Sequence, residues 1–69
     1  MAIITKVSIR EYADGKTDAH VYYKNGNPYR RDRVRLYVDI PKSAQAFIKT
    51  AKNITESEYP WFTSKTYTN

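Results

Sequence analysis

Arg30, Arg31, Arg33 and Arg35 crowd one short stretch of this 69-residue chain, and Tyr29 and Tyr37 flank them. Guanidiniums fork onto phosphate oxygens or guanine edges, while flat phenol rings stack on exposed bases. The chemistry these residue types offer is recognition of an anion, with nucleic acid foremost. Arg10, Tyr22 and Lys24 join the same candidate surface once the strands below are paired. The competing account is a solvated sheet face, where Arg and Tyr are good strand formers and Asp18 and Asp32 neutralise part of the charge.

Catalytic chemistry has much less to work with. His20 is the single histidine and cysteine is absent, so a transition-metal site is not expected. The carboxylates Glu11, Asp14, Asp18, Asp32, Asp39, Glu56 and Glu58 show no spacing that forces a pair onto one site. Gly15 and Gly26 are the only glycines, which leaves no material for a phosphate-cradling loop. The expectation is a non-enzymatic binding module with no cofactor and no metal.

The elements that must position the basic residues read mostly as strands. Residues 3–12 form a first strand, with Ile3, Val7 and Ile9 on one parity and Lys6, Ser8, Arg10 and Tyr12 on the other, Ile4 being an apolar exception. A turn around Asp14-Gly15-Lys16 leads to a second strand over 18–24, where Ala19, Val21 and Tyr23 alternate with Asp18, His20, Tyr22 and Lys24. That loop predicts Ile9 opposite Val21 and Arg10 opposite His20. Asn25-Gly26 is the stronger turn, since it supplies positive φ cheaply. Centred there, it predicts Tyr22 opposite Tyr29, His20 opposite Arg31 and Asp18 opposite Arg33. A third strand then runs over 29–40, its apolar side being Val34, Leu36, Val38 and Ile40, and its far end outruns the second strand. Together the parities predict one face bearing Lys6, Arg10, Tyr12, His20, Tyr22, Lys24, Arg33, Arg35 and Tyr37, joined by Tyr29 and Arg31.

Pro41 or Ser43 opens a helix. Its apolar stripe is Ala44, Phe47, Ile48 and Ala51, with Ile54 a further candidate and Asn53 a C-terminal cap. The stripe is expected on the greasy side of the third strand, against Val34, Leu36 and Val38. Thr55-Glu56-Ser57-Glu58 has capping-box form and predicts a short second helix. Residues 63–68 are a candidate fourth strand. Tyr59, Trp61 and Phe62 have two readings. They plug the core, under the helix or over the overhanging third strand, or they anchor a partner protein.

The fold class expected is α+β, a three-stranded antiparallel meander with one helix on one face and an aromatic C-terminal tail. It makes a single small domain over 1–69, with a body to residue 54 and a tail over 55–69. The formal net charge is +5, from 12 basic and 7 acidic residues. A basic body favours anionic partners through long-range steering. The amino terminus has no apolar run long enough for a signal peptide or a membrane span, so a soluble, cytoplasmic protein with no membrane partner is expected.

A meander with Asp-Gly and Asn-Gly turns, an Arg-rich third strand and then a helix resembles the arm-type, AP2-like DNA-binding domain of phage integrases. YADGK, YYKNG and YVDIPKSAQAFIKTA carry the likeness, over roughly residues 7–52. The resemblance implies a sheet face laid in the DNA major groove, with Tyr22, Arg31, Arg33 and Arg35 as base or phosphate contacts. The chain departs from that family in ending without a recombinase domain and in carrying an aromatic tail. The leading expectation is nucleic-acid binding, DNA before RNA. The alternative is a phage-type inhibitor, such as an anti-CRISPR, that blocks a host protein. A homodimer through a strand edge is a third arrangement.

Overall fold

The computed structural model describes residues 3–36 and 38–69. In chain order the elements are β1 (Ile4–Tyr12), β2 (Thr17–Tyr23), β3 (Tyr29–Val34), α1 (Lys42–Thr50), β4 (Asn53–Glu58) and β5 (Phe62–Thr68). The strands form one antiparallel sheet in the order β3-β2-β1-β5-β4, and the helix crosses the central strand β1 on one face. The α+β class expected from the sequence holds, with a five-stranded sheet in place of a three-stranded meander.

Val7 and Ile9 of β1, Ala19 and Val21 of β2, and Tyr67 of β5 meet Ala44 and Ile48 of α1 in the core, which Val34 and Ile40 complete. Val7, Ile9 and Val21 lose essentially all contact with water. Burying each such side chain stabilises the fold by about 1.5–3 kcal/mol. Phe47 and Ala51 pack at the margin, so the helical stripe lies where its spacing predicts. Its main strand partner, however, is β1 and not β3.

The first hairpin closes one residue earlier than expected. The Tyr12 amide donates to the Lys16 carbonyl at 3.0 Å, and the Gly15 amide donates to the Tyr12 carbonyl at 3.0 Å. The loop is therefore Ala13-Asp14-Gly15, a turn followed by a left-handed residue, with Gly15 at φ +86°. Cross-strand partners move by two residues, giving Ile9 opposite Ala19 and Arg10 opposite Asp18. A two-residue change leaves Val7, Ile9, Ala19 and Val21 on their expected face, but an irregularity between Ile4 and Lys6 sets Ile4 against the core and leaves Ile3, expected there, exposed.

The second hairpin differs by one residue, and one residue matters. Tyr29 lies opposite Val21, Arg30 opposite His20 and Arg31 opposite Ala19. The slip turns Tyr29 and Arg31 to the helix side and Arg30 to the open side, the reverse of the expected pairing. An irregularity between Thr17 and Ala19 then restores the phase, so that buried Val34 faces buried Thr17. Arg33 takes up the extra residue at φ +57°.

The alternating run after Arg33 is not a continuous strand. The Asp39 carboxylate accepts a 2.7 Å bond from the Arg35 amide, while the Val38 and Asp39 amides donate to the Arg35 carbonyl. That turn ends β3 at Val34 and leaves Val38 64% exposed, away from the helix.

The tail is a hairpin. Thr55 to Glu58, read as a helix start, are strand residues of β4, each opposed by β5. β-branched residues facing one another across the pair, such as Thr55 and Thr66, favour the extended state. Asn53 begins this strand and does not cap the helix, whose last residue gives way to extended backbone at Ala51. Ile54 lies on β4, more than half exposed, outside the helical stripe. The expected fourth strand is β5, and it pairs with the free edge of β1, not with the end of β3.

Candidate binding face

Opposed residues share a face, so the registers assign the sheet surface that the helix leaves uncovered. It carries Lys6, Ser8, Arg10 and Tyr12 from β1, and Asp18, His20 and Tyr22 from β2. Arg30 and Asp32 come from β3, Phe62, Ser64 and Thr66 from β5, and Thr55 and Ser57 from β4.

Cations on this face lie over rings. The Lys6 ammonium sits 4.5 Å from the Tyr22 ring centroid, the Arg33 guanidinium 4.1 Å from that of Tyr12, and the Arg10 guanidinium 5.1 Å from that of Phe62. Ring quadrupoles hold such cations without neutralising them. The rings also meet one another at the turn end of the sheet, with Tyr12 and Phe62 at 5.8 Å and Phe62 and Tyr59 at 4.9 Å between centroids.

Acids interleave with these cations. Asp18 accepts from the Tyr12 hydroxyl at 2.6 Å and from the Arg33 amide at 3.0 Å. Partial burial works against the Asp18 charge, but the Tyr12 hydroxyl, the Arg33 amide and the Arg33 guanidinium outweigh it and hold the carboxyl below its ordinary range. The bond to Asp18 in turn holds the Tyr12 phenol above its usual value, with burial adding to the effect. Asp14 takes the Arg33 guanidinium at 3.3 Å. His20 Nε2 is buried, lies 3.9 Å from the Asp32 carboxylate and has no hydrogen-bond partner.

The residues singled out in the sequence divide between the two sides. Arg10, Tyr22, Arg30 and Arg33 reach the uncovered face, and Lys24 is exposed at its far end, beyond β2. Tyr29 faces the helix side, packs against the core and directs its hydroxyl to the Asp39 carbonyl at 3.4 Å. Arg31 is exposed on that same side. Arg35 lies beyond the strand, where Asp39 binds both its amide and its Nε. That amide, foremost, holds the Asp39 carboxyl below its ordinary range, against the opposing effect of burial. Tyr37 lies outside the described residues.

The aromatic tail does not plug the core. Trp61 is 76% and Tyr59 54% exposed, and Phe62 is half-buried against Tyr12 on the uncovered face. Arginine spacing gave no sign that Phe62 and Tyr59 extend the basic face, because their place depends on β5 pairing with β1. The β1–β2 turn and the β4–β5 turn flank an open cleft of about 290 Å³, lined by Glu11, Tyr12, Tyr59, Pro60, Trp61 and Phe62 among others.

Among the described residues no cluster of three or more His, Asp or Glu side chains is arranged to hold a metal ion, and no helix is long and apolar enough to cross a membrane. Comparison with protein-family models, curated proteins and solved structures finds no match to this chain.

Proposed function

We propose that this protein is a nucleic-acid-binding module and that it binds through the sheet face opposite the helix. The observation that carries the reading is the set of cations over rings on one uncovered, rigid face: Lys6 on Tyr22, Arg33 on Tyr12 and Arg10 on Phe62. Lying over the rings, the cations are held in place for phosphates, while the exposed rings of Tyr59 and Trp61 offer stacking surfaces to bases. The surplus of basic residues over the whole chain steers a polyanion towards it.

The test is retention. Protein purified at low salt is expected to carry nucleic acid, read from the ratio of absorbance at the nucleic-acid and protein maxima, and to release it at high salt. With Lys6, Arg10, Arg30 and Arg33 as the phosphate contacts, log K should fall against log salt with a slope of roughly −3 for a single strand and nearer −4 for a duplex. Protein free of nucleic acid at low salt, with no affinity for added oligonucleotide, contradicts the proposal.

One observation favours a second reading, an inhibitor that docks on a host protein. Trp61 projects at the tip of the β4–β5 hairpin, and exposed tryptophans serve as interface anchors. A stoichiometric protein partner that survives nuclease treatment in a pull-down would support it. Strand-edge pairing along β3 is less well supported, since the strand is short, interrupted at Arg33 and lined by arginines that repel their own copies.

A further inference from the structure

We infer that the ligand is a single strand, held by an unpaired base stacked in the cleft between the β1–β2 and β4–β5 turns. This rests on the nucleic-acid reading above and specifies it.

The first argument is the supply of rings. Tyr12, Phe62 and Tyr59 form a tilted chain of contacts leading to the cleft, and Trp61, 76% exposed, lines it with no ring or cation partner of its own among the described residues. The cleft is open to solvent and about 290 Å³ in volume, which leaves room for one flat group laid against its rings. Glu11 on the cleft wall has its charge offset by Lys65 at 3.5 Å, which removes an obstacle to an anionic strand.

The second argument is charge density. Asp14, Asp18 and Asp32 stand among Lys6, Arg10, Arg30 and Arg33. A duplex presents a phosphate about every 1.7 Å along its axis and is bound chiefly by neutralising them. A face with acids so interleaved is poorly suited to that. A single strand has a lower charge density and exposes base faces, and one stacked base is worth roughly five- to hundred-fold in affinity. Bases within a duplex are already stacked on both sides and cannot reach Trp61 at a hairpin tip.

Trp61 is the only tryptophan, so its emission reports on the cleft alone. The full chain is titrated at low salt with single-stranded DNA, single-stranded RNA and the matching DNA duplex, all of one length. Both single strands are expected to quench Trp61 and to bind at least tenfold more tightly than the duplex, and the comparison of DNA with RNA shows whether the 2′-hydroxyl contributes. Trp61→Ala should lose tenfold or more for single strands while its thermal melt stays unchanged, and Trp61→Phe should recover most of the loss. Duplex binding equal to or tighter than single-strand binding overturns the inference, as does single-strand binding with no change in Trp61 emission. Either of those results leaves the face reading standing. Absence of all binding removes both.

Discussion

The Tyr12 hydroxyl donates a 2.6 Å hydrogen bond to the Asp18 carboxylate across the first hairpin, and Arg33 reaches over β2 from β3 to cover the same tyrosine ring. One tyrosine thus ties three strands together on the proposed binding face. The arrangement has opposite consequences at the two ends of the pH scale. Asp18 is lowered on folding, so its contribution is complete above the ordinary carboxylate pKa and is lost as pH falls through the folded value. Asp39 acts in the same direction. Tyr12 is raised, so its contribution is complete below the usual tyrosine pKa and is lost as pH rises through the folded value. Tyr12→Phe should therefore flatten both limbs of the melting temperature against pH, and Asp18→Asn should flatten the acid limb. Unchanged limbs in Tyr12→Phe would show that the bond does not couple to folding.

Arg33 occupies left-handed backbone at φ +57°, a conformation that costs a non-glycine residue roughly 1–2 kcal/mol. Its side chain offsets part of this through Asp14 and Tyr12. Two truncations separate these effects. Arg33→Ala loses the contacts and keeps the strain, whereas Arg33→Gly loses both. Denaturant titration is expected to find the glycine variant more stable than the alanine variant by roughly 1 kcal/mol. An alanine variant of equal stability would mean that the backbone there relaxes.

Ile9 sits fully buried between Ala19 and Lys65 at the centre of the sheet. Truncation to alanine should cost about 2–5 kcal/mol, comparable with all that so small a core supplies, and should leave the chain unfolded by circular dichroism. Ile9→Val removes one methylene and should cost about 1 kcal/mol, lowering the melting temperature by roughly 4–8 °C. Tolerance of alanine without loss of the melting transition would place the core elsewhere.

These residues also mark what can be read from the chain and what cannot. On β1 and β2 apolar side chains of a single parity (Val7, Ile9, Ala19, Val21) fix the buried face, so even a misplaced turn left their orientation correct. On β3 the constraint weakens: Arg30, Arg31, Asp32 and Arg33 include no apolar residue on either parity, so nothing before Val34 penalises a one-residue slip. The slip exchanged Arg30 for Arg31 on the uncovered face. Asp39 ended β3 through its own side chain, a local competitor that an alternating pattern does not reveal. Thr55 to Glu58 satisfy a capping box and a polar edge strand equally well, and pairing with β5 decided between them.

β4 is exposed along its whole length and forms one edge of the sheet. Glu56 and Glu58 project from it, and charges on an edge discourage pairing with another chain. Replacing both with threonine should raise self-association in light scattering as concentration increases, with Ile54 adding apolar surface at the same edge. A particle mass unchanged from the parent chain would mean that the glutamates do not guard this edge.

The assignment of binding to one face is tested most directly by two double variants of equal charge. Arg10→Glu with Arg30→Glu alters the uncovered face, whereas Arg31→Glu with Arg35→Glu alters positions away from it, and both lower the formal charge of +5 by the same amount. Each variant is titrated against one labelled oligonucleotide by fluorescence anisotropy, after circular dichroism has confirmed folding. The first pair is expected to lose tenfold or more in affinity, and the second to stay within about threefold of the parent chain after the shared long-range term is reduced by salt. Equal losses in both variants, or a larger loss in the second, would contradict binding through the uncovered face.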